Sequence, residues 1–166
     1  MRYRYTVSLT PPPPADAEQQ LGYVYSEFEL NLPPPWQPLA HEQDNAVAFR
    51  SPDDDAALIV SVDFIASGAD DLQALAEQVI RDRLQALPTD GLGPWQTLQQ
   101  QIRPHRSGAA LEMSFAAELP RERTALYLGY ATPRKLLHFM MAGGPDRAAA
   151  IALFNATVPH FKPRLP

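Results

Sequence analysis

The sequence predicts an α+β domain: an antiparallel sheet of about six to seven strands flanked by two main helices, in the order β-β-β-α-β-β-β-β-α. Three observations carry this. Apolar residues alternate with polar ones in several separate segments, the period of a strand with one face buried. One segment, Asp70 to Leu87, repeats its apolar residues every three or four positions instead, the period of an amphipathic helix. The late strand segments are joined by connectors too short for the crossover that a parallel pair needs, so they must run antiparallel.

The elements follow in chain order. Tyr3, Tyr5, Val7 and Leu9 form a short β-prone piece, and Pro11 to Pro14 then fix φ and favour an extended spacer without internal hydrogen bonds. Residues 1–20 therefore read as a proline-rich N-terminal extension, and residues 21–166 as a single domain. From Tyr23 the chain alternates, with Val24, Phe28, Leu30 and Leu32 on one side, until Pro33 to Pro35 end the strand because proline cannot donate to a ladder. Trp36 follows as a core anchor. Ala46 to Phe49 is a short strand, Ser51 to Asp55 a turn, and Ala56 to Ile65 a strand with Leu58, Val60, Val62 and Phe64 inward.

In Asp70 to Leu87 the residues Leu72, Leu75, Ala76, Val79, Ile80, Leu84 and Leu87 share one helical face. Ser67, Asp70 and Asp71 suit its N-terminus, where free N–H groups and the positive dipole end favour carboxylates, and Pro88 stops it. Trp95 to Arg103, Ala109 to Leu119, Thr124 to Ala131 and Lys135 to Ala142 are four further strands, joined by Pro104 to Gly108, Pro120 to Arg123 and Thr132 to Arg134. Gly143-Gly144-Pro145 opens a second helix that runs to about Val158, with Pro145 at the start, where its missing N–H costs nothing.

Composition excludes several classes of function. With 166 residues, the chain fits one core. A net charge of -5 lacks the basic footprint that displaces counterions from nucleic acid. The absence of cysteine removes disulfides, thiolate zinc sites and thiol nucleophiles. No apolar run approaches the roughly 18 residues of a bilayer span, and Met1 to Thr10 lacks the apolar core of a signal peptide. The expectation is a cytoplasmic protein with no direct membrane insertion and no nucleic-acid partner.

Catalytic and metal signatures are sparse. His41, His105, His138 and His160 lie far apart, with no paired ligand spacing; His138, between Leu137 and Phe139, reads as a satisfied core or interface histidine. Asp53, Asp54 and Asp55 resemble the opening of a calcium loop, but the sixth position is not glycine and the twelfth is Phe64, so they read as a solvated turn. No serine sits in a GxSxG elbow; Ser67 has Ile65 where the first glycine belongs. Gly91-Leu92-Gly93 and Gly143-Gly144 lack the residues that hold phosphate, and Arg103, His105 and Arg106 read as a charged hairpin tip. No cofactor, metal or catalytic residue is assigned.

One feature points outward. In the last two strands both faces are apolar: Leu126, Leu128, Tyr130, Leu137, Phe139 and Met141 on one, Ala125, Tyr127, Leu136, His138 and Met140 on the other. A one-sided antiparallel sheet alternates cleanly, so the second face needs a cover, either a helix of this chain or something outside it. The first set is therefore the candidate partner-binding face, for an apolar helix or peptide of another protein or for a second copy of the chain.

The segments YVYSEFELNLPPPW, AALIVSV, LQALAEQVIRDRLQAL, AALEMSFAAEL, RTALYLGYATPRKLLHFMMA and ALFNATVPHF resemble the PsbP-like fold, over about Gly22 to Lys162. That fold is shared by the yeast Ran-binding import factor, DcrB-type bacterial proteins and the Eag chaperones of type VI secretion. The resemblance implies a non-enzymatic protein-binding domain, and its Eag branch implies a bacterial cytoplasmic chaperone or adaptor that shields an apolar segment of a secreted effector. Two other classes stay open: a self-assembling structural subunit, and a small hydrolase whose histidine, serine and acid come together only in space.

Overall fold

The computed structural model describes residues 4–6, 21–34, 36–65, 68–87 and 95–165. The Pro11 to Pro14 spacer, Ser67, Pro88 and the Gly91-Leu92-Gly93 loop lie outside them. The described elements are β1 (Arg4–Thr6), β2 (Leu21–Val24), β3 (Phe28–Leu32), β4 (Gln37–Leu39), β5 (Ala46–Ser51), β6 (Ala56–Ile65), α1 (Leu72–Gln85), β7 (Gln96–Pro104), β8 (Leu111–Leu119), β9 (Arg123–Ala131), β10 (Lys135–Gly143), α2 (Arg147–Thr157) and β11 (Phe161–Pro163). The fold is α+β with antiparallel strands and two helices, as the alternation and short connectors predict.

The strands form two sheets. The larger runs β4-β5-β6-β10-β9-β8-β7, with β1 as an eighth strand, and the smaller is β11-β3-β2. β6 is long enough to serve two neighbours on one edge: Ala56 to Ser61 pair with β5, and Asp63 to Ile65 pair with β1. Its other edge takes β10, with Leu58 opposite Met141 and Phe64 opposite Lys135.

The alternating run from Tyr23 to Leu32 is a hairpin and not one strand. The chain reverses at Tyr25 to Glu27, where the Tyr25 N–H donates to the Phe28 carbonyl at 2.9 Å, and Leu21 returns opposite Leu32. The turn contains neither glycine nor proline, so the period of two continues through it unmarked.

Both helices start one or two residues later than expected, each on an aspartate. Asp71 accepts from the Ala74 N–H at 3.0 Å, and Asp146 from the Ala149 N–H at 3.1 Å, satisfying donors that have no partner inside the helix. Pro145 thus precedes the cap instead of occupying the first turn; the Gly144–Pro145 peptide is cis.

The largest departure concerns what covers the sheet. On one face α1 lies over β8 and β9, packing Leu75, Ala76, Val79, Ile80 and Leu84 against Met113, Phe115, Ala125, Tyr127 and Leu136. The other face is covered by the small sheet together with α2: Phe28, Leu30, Leu32 and Phe161, with Trp36 and Ala150, close over Val60, Val62, Leu128 and Phe139. Leu126, Leu128, Tyr130, Leu137, Phe139 and Met141 are therefore interior, between 0% and 7% exposed. The expected partner-binding face is not a surface, because the hairpin from residue 21 and the C-terminal strand fold over it.

The ends of the small sheet are tied down by charge. Lys135 reaches both the Glu27 carboxylate and, at 2.5 Å, the Arg164 carbonyl, while Arg164 bonds Glu29 at 2.8 Å. The Lys135 and Glu27 side chains are largely shielded from water, so losing one partner would strand the other.

Two strained points stand out. Arg121 (φ 63°) and Glu122 (φ 59°) turn the chain between β8 and β9 in the left-handed region, which costs a side-chain-bearing residue roughly 1–2 kcal/mol. Asn-Gly is the pair such a turn favours. Arg121→Asn with Glu122→Gly is expected to raise unfolding free energy by about 1 kcal/mol or more, read as a higher urea midpoint with an unchanged slope.

A second expectation follows from the covered face. Leu128→Glu or Phe139→Glu buries an unpaired carboxylate and is expected to cost about 4 kcal/mol or more. Far-ultraviolet circular dichroism should find such variants unfolded or molten, and a native spectrum and unfolding midpoint would show that those positions tolerate water.

Candidate functional site

A helix with its side chains is about 10 Å wide, whereas six strand spacings of about 4.8 Å make the large sheet about 29 Å across. One helix cannot cover that face. α1 leaves a groove on each side: one against β7, lined by Gln73, Glu77, Ile80, Arg81, Gln100 and Ile102, and one over β5 and β6. The second holds about 680 Å³ between His41, Gln43, Asn45, Ile59, Ser61, Asp63 and Arg83. It continues past Asp63 and Arg83 into a cleft of about 230 Å³ bounded by Val79, Asp82, Leu136 and His138.

The floor of this groove is a chain of buried polar groups. The Tyr127 hydroxyl lies 2.8 Å from His138 Nδ1, His138 Nε2 lies 3.0 Å from Asp63 Oδ2, and Asn45 donates to Asp63 Oδ1 at 3.1 Å. Arg83, in the last turn of α1, stands 3.9 Å from the same carboxylate. The carboxylate can only accept, which places a proton on Nε2 and leaves Nδ1 to accept from the tyrosine in the neutral ring. Burial, reinforced by Asp63 and opposed by Arg83, raises the Tyr127 pKa well above its ordinary value, so the phenol stays a donor.

Strand register builds this relay. His138 is directly opposite Gly129 in the β9–β10 ladder, and Tyr127 lies two residues before Gly129 on the same face. A Cβ at position 129 would come within 2.1 Å of the Tyr127 hydroxyl, so glycine is the residue that lets the ring lie across the strand to reach the histidine. Phe115 stacks on the other side of the tyrosine, with centroids 4.9 Å apart and planes at 19°. This network went unread in the sequence: a three-residue turn over Thr132 to Arg134 would set Gly129 against Leu137, whereas Thr132 already faces Lys135, which shifts the ladder by one and brings His138 opposite Gly129.

The other histidines are placed apart from it. His105 is half-buried at the β7–β8 turn, where its Nδ1 accepts from the Ser107 backbone N–H at 3.1 Å and faces the Ser107 hydroxyl at 3.0 Å. That is a local turn motif. His41 stands at the groove rim, and His160 is in the short 3₁₀ turn after α2. His138 is the satisfied core histidine that its setting implied, 1% exposed.

Ser61 lies directly opposite His138 in the β6–β10 ladder, so a serine, a histidine and a carboxylate do share one corner of the fold. Both ring nitrogens are engaged, by Asp63 and Tyr127, which leaves none to accept the serine proton. Asp53, Asp54 and Asp55 occupy an exposed turn: Asp54 accepts from Ser51 at 2.5 Å and Asp55 from Arg123 at 3.0 Å. Arg103 and Glu112 form an exposed ion pair near the hairpin tip. Among the described residues no three histidine, aspartate or glutamate side chains are grouped to hold a metal ion, and no helix is long and apolar enough to cross a membrane.

Compared with known proteins, this chain matches no family model and no curated protein sequence. Among solved structures it is similar to cyanobacterial PsbP (CyanoP) from Synechocystis sp. PCC 6803, with a TM-score of 0.65 and 16% identity, covering 94% of this chain and 99% of that one. At this identity the likeness concerns architecture, and it shows that the chain has a PsbP-like α+β fold.

The relay makes a pH-dependent prediction. The stability that Tyr127 contributes is complete below about pH 10, where the phenol is protonated in folded and unfolded chains alike, and is lost as pH rises toward the raised folded value. Tyr127→Phe is expected to lower stability at pH 7 by about 1–3 kcal/mol, since His138 Nδ1 loses its donor, and to reduce the alkaline decline. The decline should persist in part, because burial and Glu112 also push Tyr130 up to about 12. Urea unfolding from pH 7 to pH 11 measures both effects.

Proposed function

We propose that this protein is a non-enzymatic protein-binding domain that receives an extended, hydrogen-bonding segment of a partner in the groove over β5 and β6. The observation that carries the reading is a division of labour within the groove. Its floor groups, Tyr127, His138, Asp63 and Asn45, are bonded to one another and serve as a rigid base. Its wall side chains His41, Gln43 and Ser61 have no hydrogen-bond partner among the described residues and present donors and acceptors to whatever enters.

The chemistry favours a polar or mixed segment over a purely apolar helix, because the apolar residues of the sheet are already enclosed. The sequence resemblance to the Eag branch is what suggests an adaptor or chaperone working in a bacterial cytoplasm on a secreted effector; the PsbP-like fold by itself does not select that role. The groove reading stands without that branch. Catalysis finds less support, since the histidine beside Ser61 and Asp63 has both nitrogens committed.

A photoreactive residue in place of Gln43, on the groove wall, is expected to cross-link a discrete protein in native cells, whereas the same residue in place of Arg106, on the distant hairpin, yields none. Equal labelling at both positions, or labelling only at 106, would remove the groove as the binding surface.

A further inference from the structure

The second uncovered feature of the sheet is its β7 edge, and it is independent of the groove over β5 and β6. We infer that two copies of this chain join edge to edge through β7, antiparallel and about a two-fold axis at Gln100, to make one continuous sheet.

The two ends of the β4-β5-β6-β10-β9-β8-β7 order are treated differently. The β4 edge is blunted: the strand has three residues and the central one is Pro38, which has no N–H to offer. β7 has nine residues, eight of them exposed, and among the described residues pairs with β8 along one side only. Between Gln96 and Ile102 it has no charged residue to repel another strand. A bulge between Thr97 and Gln99 interrupts its start, so the regular stretch available for pairing begins at Gln99.

That stretch complements itself. A glutamine side chain carries both a donor and an acceptor without charge, so it can pair with its own kind. An axis at Gln100 sets Gln100 against Gln100 of the second copy, and Gln99 against Gln101. Arg103 then falls near Thr97 of the second copy and not near another cation, and its guanidinium is already bonded to Glu112 at 2.8 Å.

The helices agree in charge. Glu77 and Arg81, one turn apart on α1, both line the groove against β7. The same axis turns the second α1 antiparallel on the same face of the sheet, so Glu77 of each copy faces Arg81 of the other. Each α1 lies over β8 and β9, so three to four strand spacings, about 14–19 Å, separate the two helices, a span that an arginine and a glutamate reaching toward each other bridge.

The test is sedimentation equilibrium of the purified full chain across a hundredfold concentration range. The wild type is expected to dimerise. Gln100→Lys, which opposes two like charges at the axis, should weaken the dimer by about tenfold or more, with an unchanged unfolding midpoint at concentrations where the wild type too is monomeric. Arg81→Glu should weaken it too, and Glu77→Arg with Arg81→Glu should restore it. A wild type that stays monomeric overturns the inference, as does a dimer indifferent to both Gln100→Lys and Arg81→Glu. A monomer that captures a partner protein by an interaction lost in Gln100→Lys would assign the edge to a foreign strand instead, and also overturns it.

Discussion

A sheet that is apolar on both faces must be covered on both, and the rest of this structure is arranged around that requirement. β9 and β10 carry large side chains above and below, so neither face tolerates water. One face receives a whole second layer, the small sheet with Trp36 and α2, wide enough to close it. The other receives a single helix. Because α1 is narrower than the sheet, the strands at its flanks bear Ser61, Asp63 and the glutamines of β7, with Asn45 in the turn before β5, where the middle bears Phe115, Ala125 and Leu136. Polarity thus follows the shadow of the helix, and the two places that shadow does not reach are the polar grooves at its flanks.

Much of the architecture could be read in advance, for an identifiable reason. Ala56 to Ile65, Asp70 to Leu87 and the four late strands are long enough for a period to repeat several times, and their ends are marked by proline, glycine or aspartate. What escaped was short or unmarked. β4 and β11 have three residues each, too few to establish any period, and the turn at Tyr25 to Glu27 uses residues that also sit comfortably in strands. Those omissions had a consequence: without the β2–β3 hairpin and β11, the face bearing Leu128 and Phe139 looked open. The candidate binding residues were identified correctly as an apolar set and placed wrongly, because their cover lies some hundred residues away in sequence for Phe28 to Leu32. The relay escaped for a different reason. Tyr127, Gly129, His138 and Asp63 become neighbours only through register across three strands, and nothing in their own local spacing announces it.

The relay also shows how a polar group is kept inside a core of this size. Each member has a partner, and the partners are graded outward, from a tyrosine held protonated by burial, through the His138 imidazole, to the Asp63 carboxyl group, which meets both an amide and the Arg83 guanidinium at the groove. Removing any one member would leave its neighbour buried and unsatisfied, so the network fixes β6, β9 and β10 in one register.

The pairing of β6 bears on the order of assembly. β7, β8, β9 and β10 are successive antiparallel strands joined by short turns, while β6 meets β10 only after a chain excursion of about seventy residues. Closing that excursion costs entropy that local turns do not. The C-terminal meander and the β4–β5–β6 meander each close through local turns, and Leu128 and Phe139 stay open to water until β6 and then the β2–β3 hairpin dock. During synthesis the β2–β3 and β4–β5–β6 hairpins leave the ribosome first, with no large sheet yet to pack on, so the core closes only when the strand Phe161 to Pro163 has been made.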